Sequence, residues 1–96
     1  MAGNDDLLEA TLEALQRARD LRDLLRAVAE RHGDRTAVEL VAALRAAADE
    51  IDRTLRRGGD PTAESARARA HADALLREAE VAGGEVMIRS LADQPI

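Results

Sequence analysis

Apolar residues recur at intervals of three and four along most of the chain, which is the spacing of one face of an α-helix. The first such run extends from Leu8 to Val28 and contains no Gly or Pro. We therefore predict one helix over residues 5–32. Gly33 follows it and is predicted to take the left-handed conformation that often ends a helix.

Two further helices are indicated by their start signals. Thr36 followed by Glu39 has the spacing of a capping box and predicts a helix over residues 36–57, with Asp34 as a competing cap. The other helix is predicted over residues 61–82, with Asp60 as its N-cap and Pro61 at its first helical position, an arrangement typical of helix starts. The first half of this helix has only Ala as its apolar residue, so a neighbouring helix could approach it closely.

The C-terminal residues 85–96 include the large apolar residues Val86, Met87, Ile88 and Leu91. A lone strand would have no partner in a helical domain, so we favour a short helix that packs these residues on the open end of the bundle. Pairing of strands between two copies is the alternative. Because the loops are short, consecutive helices should be antiparallel. The sequence thus predicts an all-α fold, a single domain over residues 1–96. Its architecture would be an antiparallel three-helix bundle with a short C-terminal helical or extended appendage.

Composition excludes several functions. The formal net charge of −5 and the absence of aromatic residues argue against a nucleic-acid partner. The absence of Cys excludes disulfides and thiolate metal sites. No apolar run has the length of a membrane span, and the polar N-terminal residues do not form a signal peptide, so we expect no membrane partner and a cytoplasmic or recombinant cytosolic protein.

The caps, the helical spacing and the stop glycines agree with one another over residues 4–84. In this respect the chain resembles idealised de novo designed helical bundles, for which the sequence GGDPT before an Ala-, Glu- and Arg-rich helix is typical. The resemblance implies a stable scaffold. A natural protein from a GC-rich genome is the alternative explanation for a chain that contains no Lys.

His71 is the main candidate for chemistry, but its neighbours on the helix face are Arg67 and Leu75, which cannot complete a metal site. Ser65 lies six residues from His71 and so does not share its face, which argues against a nucleophile–base pair. We therefore expect no enzyme activity, no cofactor and no metal. Haem or metal binding at His71 is a distant alternative.

Opposite charges at i,i+4 spacing predict ion pairs on solvated helix faces. These predicted pairs are Glu13 with Arg17, Asp49 with Arg53, and Asp52 with Arg56.

The segment 40–52 resembles the BH3 motif of the Bcl-2 family, in which apolar residues on one helix face enter a groove of a partner protein. The resemblance assigns Leu40, Leu44, Ala47 and Ile51 to the groove anchors, Ala48 to the small residue and Asp49 to the partner of a groove Arg. The same stripe is needed to hold the helix in its own bundle, which is the interpretation we favour.

The sequence therefore predicts a non-catalytic helical bundle that is a designed scaffold or a self-associating structural protein. Its expected partner is a second copy or a protein groove. The alternative is an interaction module that docks through residues 40–52.

Overall fold

The computed structural model describes residues 2–55, 63–83 and 85–93, and these contain five helices. In chain order the helices are α1 (Ala2–Arg17), α2 (Leu21–His32), α3 (Ala37–Leu55), α4 (Ala63–Ala82) and α5 (Ile88–Ala92). The all-α class is confirmed, but the predicted set of three long helices is wrong because four are long. Residues 56–62, which include the predicted ends of two helices, lie outside the described residues. Each described helix is too short or too polar to cross a bilayer.

The helix predicted over residues 5–32 is instead a hairpin of α1 and α2. A carboxylate oxygen of Glu13 lies 3.5 Å from a guanidinium nitrogen of Arg31. In one continuous helix these residues would be about 27 Å apart along the axis, since each residue rises about 1.5 Å. The chain therefore reverses at residues 18–20. Glu13 pairs across the hairpin, where the sequence predicts a pair with Arg17.

The reversal is stabilised at both of its ends by hydrogen bonds. Asp20 has an extended backbone, and its carboxylate accepts a hydrogen bond of 2.9 Å from the N–H of Asp23, which makes it the N-cap of α2. The Asp23 carboxylate in turn accepts one of 3.4 Å from the N–H of Arg19. At the end of α1, the carbonyl of Leu15 accepts a hydrogen bond of 3.2 Å from Arg67 of α4. These hydrogen bonds satisfy some of the backbone groups that the break leaves without a partner inside a helix.

The predicted capping box at the start of α3 is confirmed. The hydroxyl of Thr36 accepts a hydrogen bond of 3.2 Å from the N–H of Glu39, and the Glu39 carboxylate accepts one of 3.5 Å from the N–H of Thr36. The guanidinium of Arg35 also donates to this carboxylate. Partial burial alone would raise the pKa of Glu39, but the hydrogen bonds from Arg35 and Thr36 outweigh it and lower the pKa.

Gly33 does not take the predicted left-handed conformation. Its φ is −61°, and it continues the right-handed helix. A Cβ atom at this position would lie 2.8 Å from the carbonyl oxygen of Ala29 and 3.1 Å from the Cβ of Arg89, so glycine is needed here for close approach. The left-handed conformation occurs instead at Gly83, with a φ of 109°, just after α4.

The most extensive helix contact is between α3 and α4, which are antiparallel. As the sequence predicts, α4 presents mainly small side chains to its neighbours. Its buried residues are Ser65, Ala68, Ala72, Leu75 and Ala79. The buried residues of α3 include the large side chains of Leu40 and Leu44 and the small ones of Ala47 and Ala48. We call the contact between these two helices the α3–α4 interface. Its many small side chains allow the two helices to pack closely.

The short stretch of residues 85–92, which we call the strap, closes one end of the molecule. It forms an isolated antiparallel bridge between Met87 and Thr36 and then the single-turn helix α5. Ile88 is fully buried and Leu91 nearly so, which confirms the predicted short helix and its packing. Met87, which the sequence predicts to pack with them, is 44% exposed.

Candidate functional site

The BH3-like residues lie mostly inside the molecule. Leu40, Leu44 and Ala48 are fully buried, and Ala47 is buried with them. Ile51 is half-buried. These side chains form the contact between α3 and the rest of the bundle. They could enter the groove of a partner protein only if α3 separated from the bundle. The remaining residue of the set, Asp49, is exposed and already paired.

The partner of Asp49 is Arg69 of α4, whose guanidinium lies between two carboxylates of α3. It donates hydrogen bonds of 3.0 Å to Asp49 and 2.9 Å to Asp52. These hydrogen bonds raise the pKa of Arg69, so it stays charged. The side chain of Asp52 is only 10% exposed, and Arg69 compensates its charge at this partly buried position. The ion pairs of Arg69 with Asp49 and Asp52 therefore stabilise the packing of α4 on α3.

Two predicted ion pairs on α3 have different partners from those expected. Arg53 donates a hydrogen bond of 2.9 Å to Glu50, which lies one turn earlier in α3, and not to the predicted partner Asp49. Asp52 pairs with the arginine of α4, and its predicted partner Arg56 lies outside the described residues. Asp49 and Asp52 thus pair between helices, while Arg53 pairs along α3 at a different spacing from the predicted one.

His71 is half-buried on α4, close to the reversal between α1 and α2. Burial lowers the pKa of His71, and the positive charge of Arg67 lowers it further, while the negative charge of Asp20 acts in the opposite direction. These effects together favour the neutral form of the imidazole. Ser65 is fully buried. Within the described part of the chain, no three His, Asp or Glu residues are grouped closely enough to hold a metal ion.

Three large apolar side chains are exposed among the described residues, and all three lie at one end of the molecule. Val38 is 46% exposed, Val81 is 88% exposed and Met87 is 44% exposed. Val38 is in the first turn of α3 and Val81 is in the last turn of the antiparallel α4. The bridge to Thr36 places Met87 beside the start of α3. We call these three residues the apolar end.

Sequence reasoning missed Val81, although its position carries a signal. It lies two residues beyond Ala79, a buried residue, and successive residues of a helix are rotated by about 100°. Val81 is therefore about 200° around the helix from the buried face. An apolar residue at such a position is available to contact another molecule.

Comparison of the chain with protein-family models, with curated proteins and with solved structures finds no match.

Proposed function

We propose that this chain is a non-catalytic helical bundle with a structural role, and that it associates with a second copy of itself. The observation that carries the proposal is the apolar end. Single exposed apolar residues are common on protein surfaces, whereas here three occur at the same end of the molecule, which favours a contact surface at that end. Val81 is the strongest indication, because almost all of its side chain is open to solvent.

The rest of the described surface supports a structural role more than a chemical one. The partly buried charges are compensated within the molecule, as Arg69 shows with Asp49 and Asp52. Among the described residues, every buried side-chain nitrogen and oxygen has a hydrogen-bond partner. A site prepared for a ligand usually leaves polar groups that the ligand would satisfy.

In a symmetric dimer each contact occurs twice, because the two copies contact each other through the same surface. Full burial of a Val or Met side chain is worth about 1.5–3 kcal/mol. A part of this gain offsets the loss of translational and rotational freedom on association. We therefore expect a dimer that forms in the micromolar to millimolar range rather than a permanent one.

The test is the solution mass of three proteins, measured by light scattering over that concentration range. We expect the wild-type mass to rise from monomer to dimer, and Val81→Gln to move the midpoint to a higher concentration. The matched control is Ala66→Gln, which changes an exposed residue near the other end of α4 and should behave as the wild type does. A wild-type chain that stays monomeric throughout would overturn self-association and leave a stand-alone scaffold.

A further inference from the structure

We propose that two copies associate by exchanging their straps, so that residues 85–92 of each copy occupy the strap site of the other. The proposal rests on the proposed self-association and names its mode. The partner copy then contributes side chains to the core of the first copy. Such an exchange reuses contacts that the monomer already makes.

The strap is held by contacts that a second copy could supply equally well. Three backbone hydrogen bonds join it to the connection between α2 and α3 and to the first residue of α3. They run from Ala37 N–H to Val86 O at 2.8 Å, from Ile88 N–H to Arg35 O at 2.8 Å, and from Arg89 N–H to Gly33 O at 3.0 Å. Each bond depends on the position of the strap in its site and not on the chain to which the strap belongs.

The side chains of the strap show that its site must be filled. Ile88 is fully buried, and Leu91 lies beside Leu21 and Leu25 of α2. A helix of five residues is not stable in water without packing, so α5 exists only when it is docked. An empty site would expose apolar surface of α2 and α3. A strap that leaves its own site therefore has a strong preference for an equivalent site on another copy.

The connection between α4 and the strap contains a residue that can act as a hinge. Gly83 has a φ of 109°, and a Cβ built on it would meet no atom of the described residues within 4 Å, its chain neighbours apart. Glycine reaches both signs of φ at similar cost. Rotation at Gly83 can therefore redirect the strap, with open space around the residue that turns.

The apolar end supplies the extra contact that an exchange needs. A tethered strap is at a high effective concentration near its own site, which favours the closed monomer. Val81 lies just before the hinge, Met87 lies in the strap, and Val38 lies beside the strap site. Exchange brings the hinge regions of two copies together, so these side chains can cover one another in the dimer and not in the monomer.

A disulfide can test the exchange, because the chain has no Cys of its own. Thr36 and Met87 face each other between two ladder hydrogen bonds, as a non-hydrogen-bonded pair does. Such pairs have Cα atoms about 4.5 Å apart, which a disulfide can span. We would oxidise the double variant Thr36→Cys/Met87→Cys at low concentration to lock the strap in its own site, and then measure its mass.

We expect the oxidised double variant to stay monomeric at concentrations where the wild type is a dimer, and the reduced protein to dimerise again. The reduced form carries the same substitutions, so it controls for the lost cap of Thr36. A locked protein that dimerises as the wild type does would overturn exchange but leave self-association standing. A wild type that never dimerises would overturn both.

A variant without cysteines provides a second test. Gly83→Ala places a side chain where φ is positive, which strains the closed conformation without a steric clash. Because the hinge is rotated in the exchanged dimer, we expect this variant to have a larger dimer fraction than the wild type at equal concentration. An unchanged or smaller fraction would contradict the exchange.

Discussion

The α3–α4 interface makes a specific prediction about Ala72. This residue is fully buried near the middle of α4, where the buried face consists mainly of Ala. Replacing it by Leu adds three carbon atoms to a site that has no open side. The two helices must then separate, or the new side chain must take an unfavourable rotamer.

The expected cost follows from this geometry. Extra methylene groups in a well-packed core typically cost about 1–3 kcal/mol. For a domain of this size, each kcal/mol lowers the Tm by roughly 4–8 °C. Leu and Ala both favour helix, so the change in helix propensity contributes little. The predicted loss of stability is therefore a packing effect.

The assay is thermal and urea unfolding followed by far-UV circular dichroism, at a concentration where the protein is monomeric. The matched control is Ala70→Leu, which makes the same substitution two residues earlier at an exposed position. We expect Ala72→Leu to unfold at lower temperature and lower urea concentration, with Ala70→Leu close to the wild type. Equal stability of the two variants, or stabilisation by Ala72→Leu, would refute close packing at this interface.

Three further predictions concern the strap, the cap and the histidine. Ile88→Ala should reduce the free energy of unfolding by about 2–5 kcal/mol, because it leaves a cavity at a fully buried site. Met87→Ala, at the neighbouring exposed position, should cost far less. Equal losses of stability in urea unfolding would contradict the docking of α5. Thr36→Ala should cost about 1 kcal/mol through the lost N-cap, and Thr36→Ser should restore most of it. His71 has a pKa below its unfolded value of 6.5, chiefly through burial and then through Arg67, so the unfolded chain binds more protons as the pH falls. Stability should therefore decrease as the pH falls below about 6.5, and His71→Gln should show a smaller decrease in urea unfolding across the same pH series; identical pH dependence in the two proteins would argue against the lowered pKa.

The sequence predicts the local features of this fold well where one short-range interaction decides them. The capping box of Thr36 and Glu39 is one example, since both partners lie within one turn. The small buried face of α4 is another, because helical spacing places Ala68 and Ala72 on one side whatever they contact. These features depend on neighbours along the chain.

Features that depend on distant residues could not be predicted in this way. The apolar spacing continues through residues 18–20, so nothing in the pattern shows that α1 ends there. The N-cap signal of Asp20 is present but weak inside an uninterrupted run, and the break also depends on Arg67, some fifty residues away. Gly33 is a second feature that depends on a distant residue. A glycine is required at this position because Arg89 approaches it closely, and not because its φ is positive.

The apolar end also combines features that helical spacing predicts with features that depend on distant residues. Helical spacing alone could have placed Val81 away from the core, as its position relative to Ala79 indicates. The exposure of Met87 could not be read from the sequence, because it depends on how the strap pairs with Thr36. The burial of Leu40 and Leu44 likewise depends on the helices that cover them.

The most direct test of the account is sedimentation velocity of the wild-type chain over a wide range of concentration. We predict a sedimentation coefficient that rises with concentration from the monomer value to the dimer value and then levels off, as a closed two-copy assembly requires. A coefficient that stays at the monomer value at every concentration would contradict self-association, and with it the exchange of the strap.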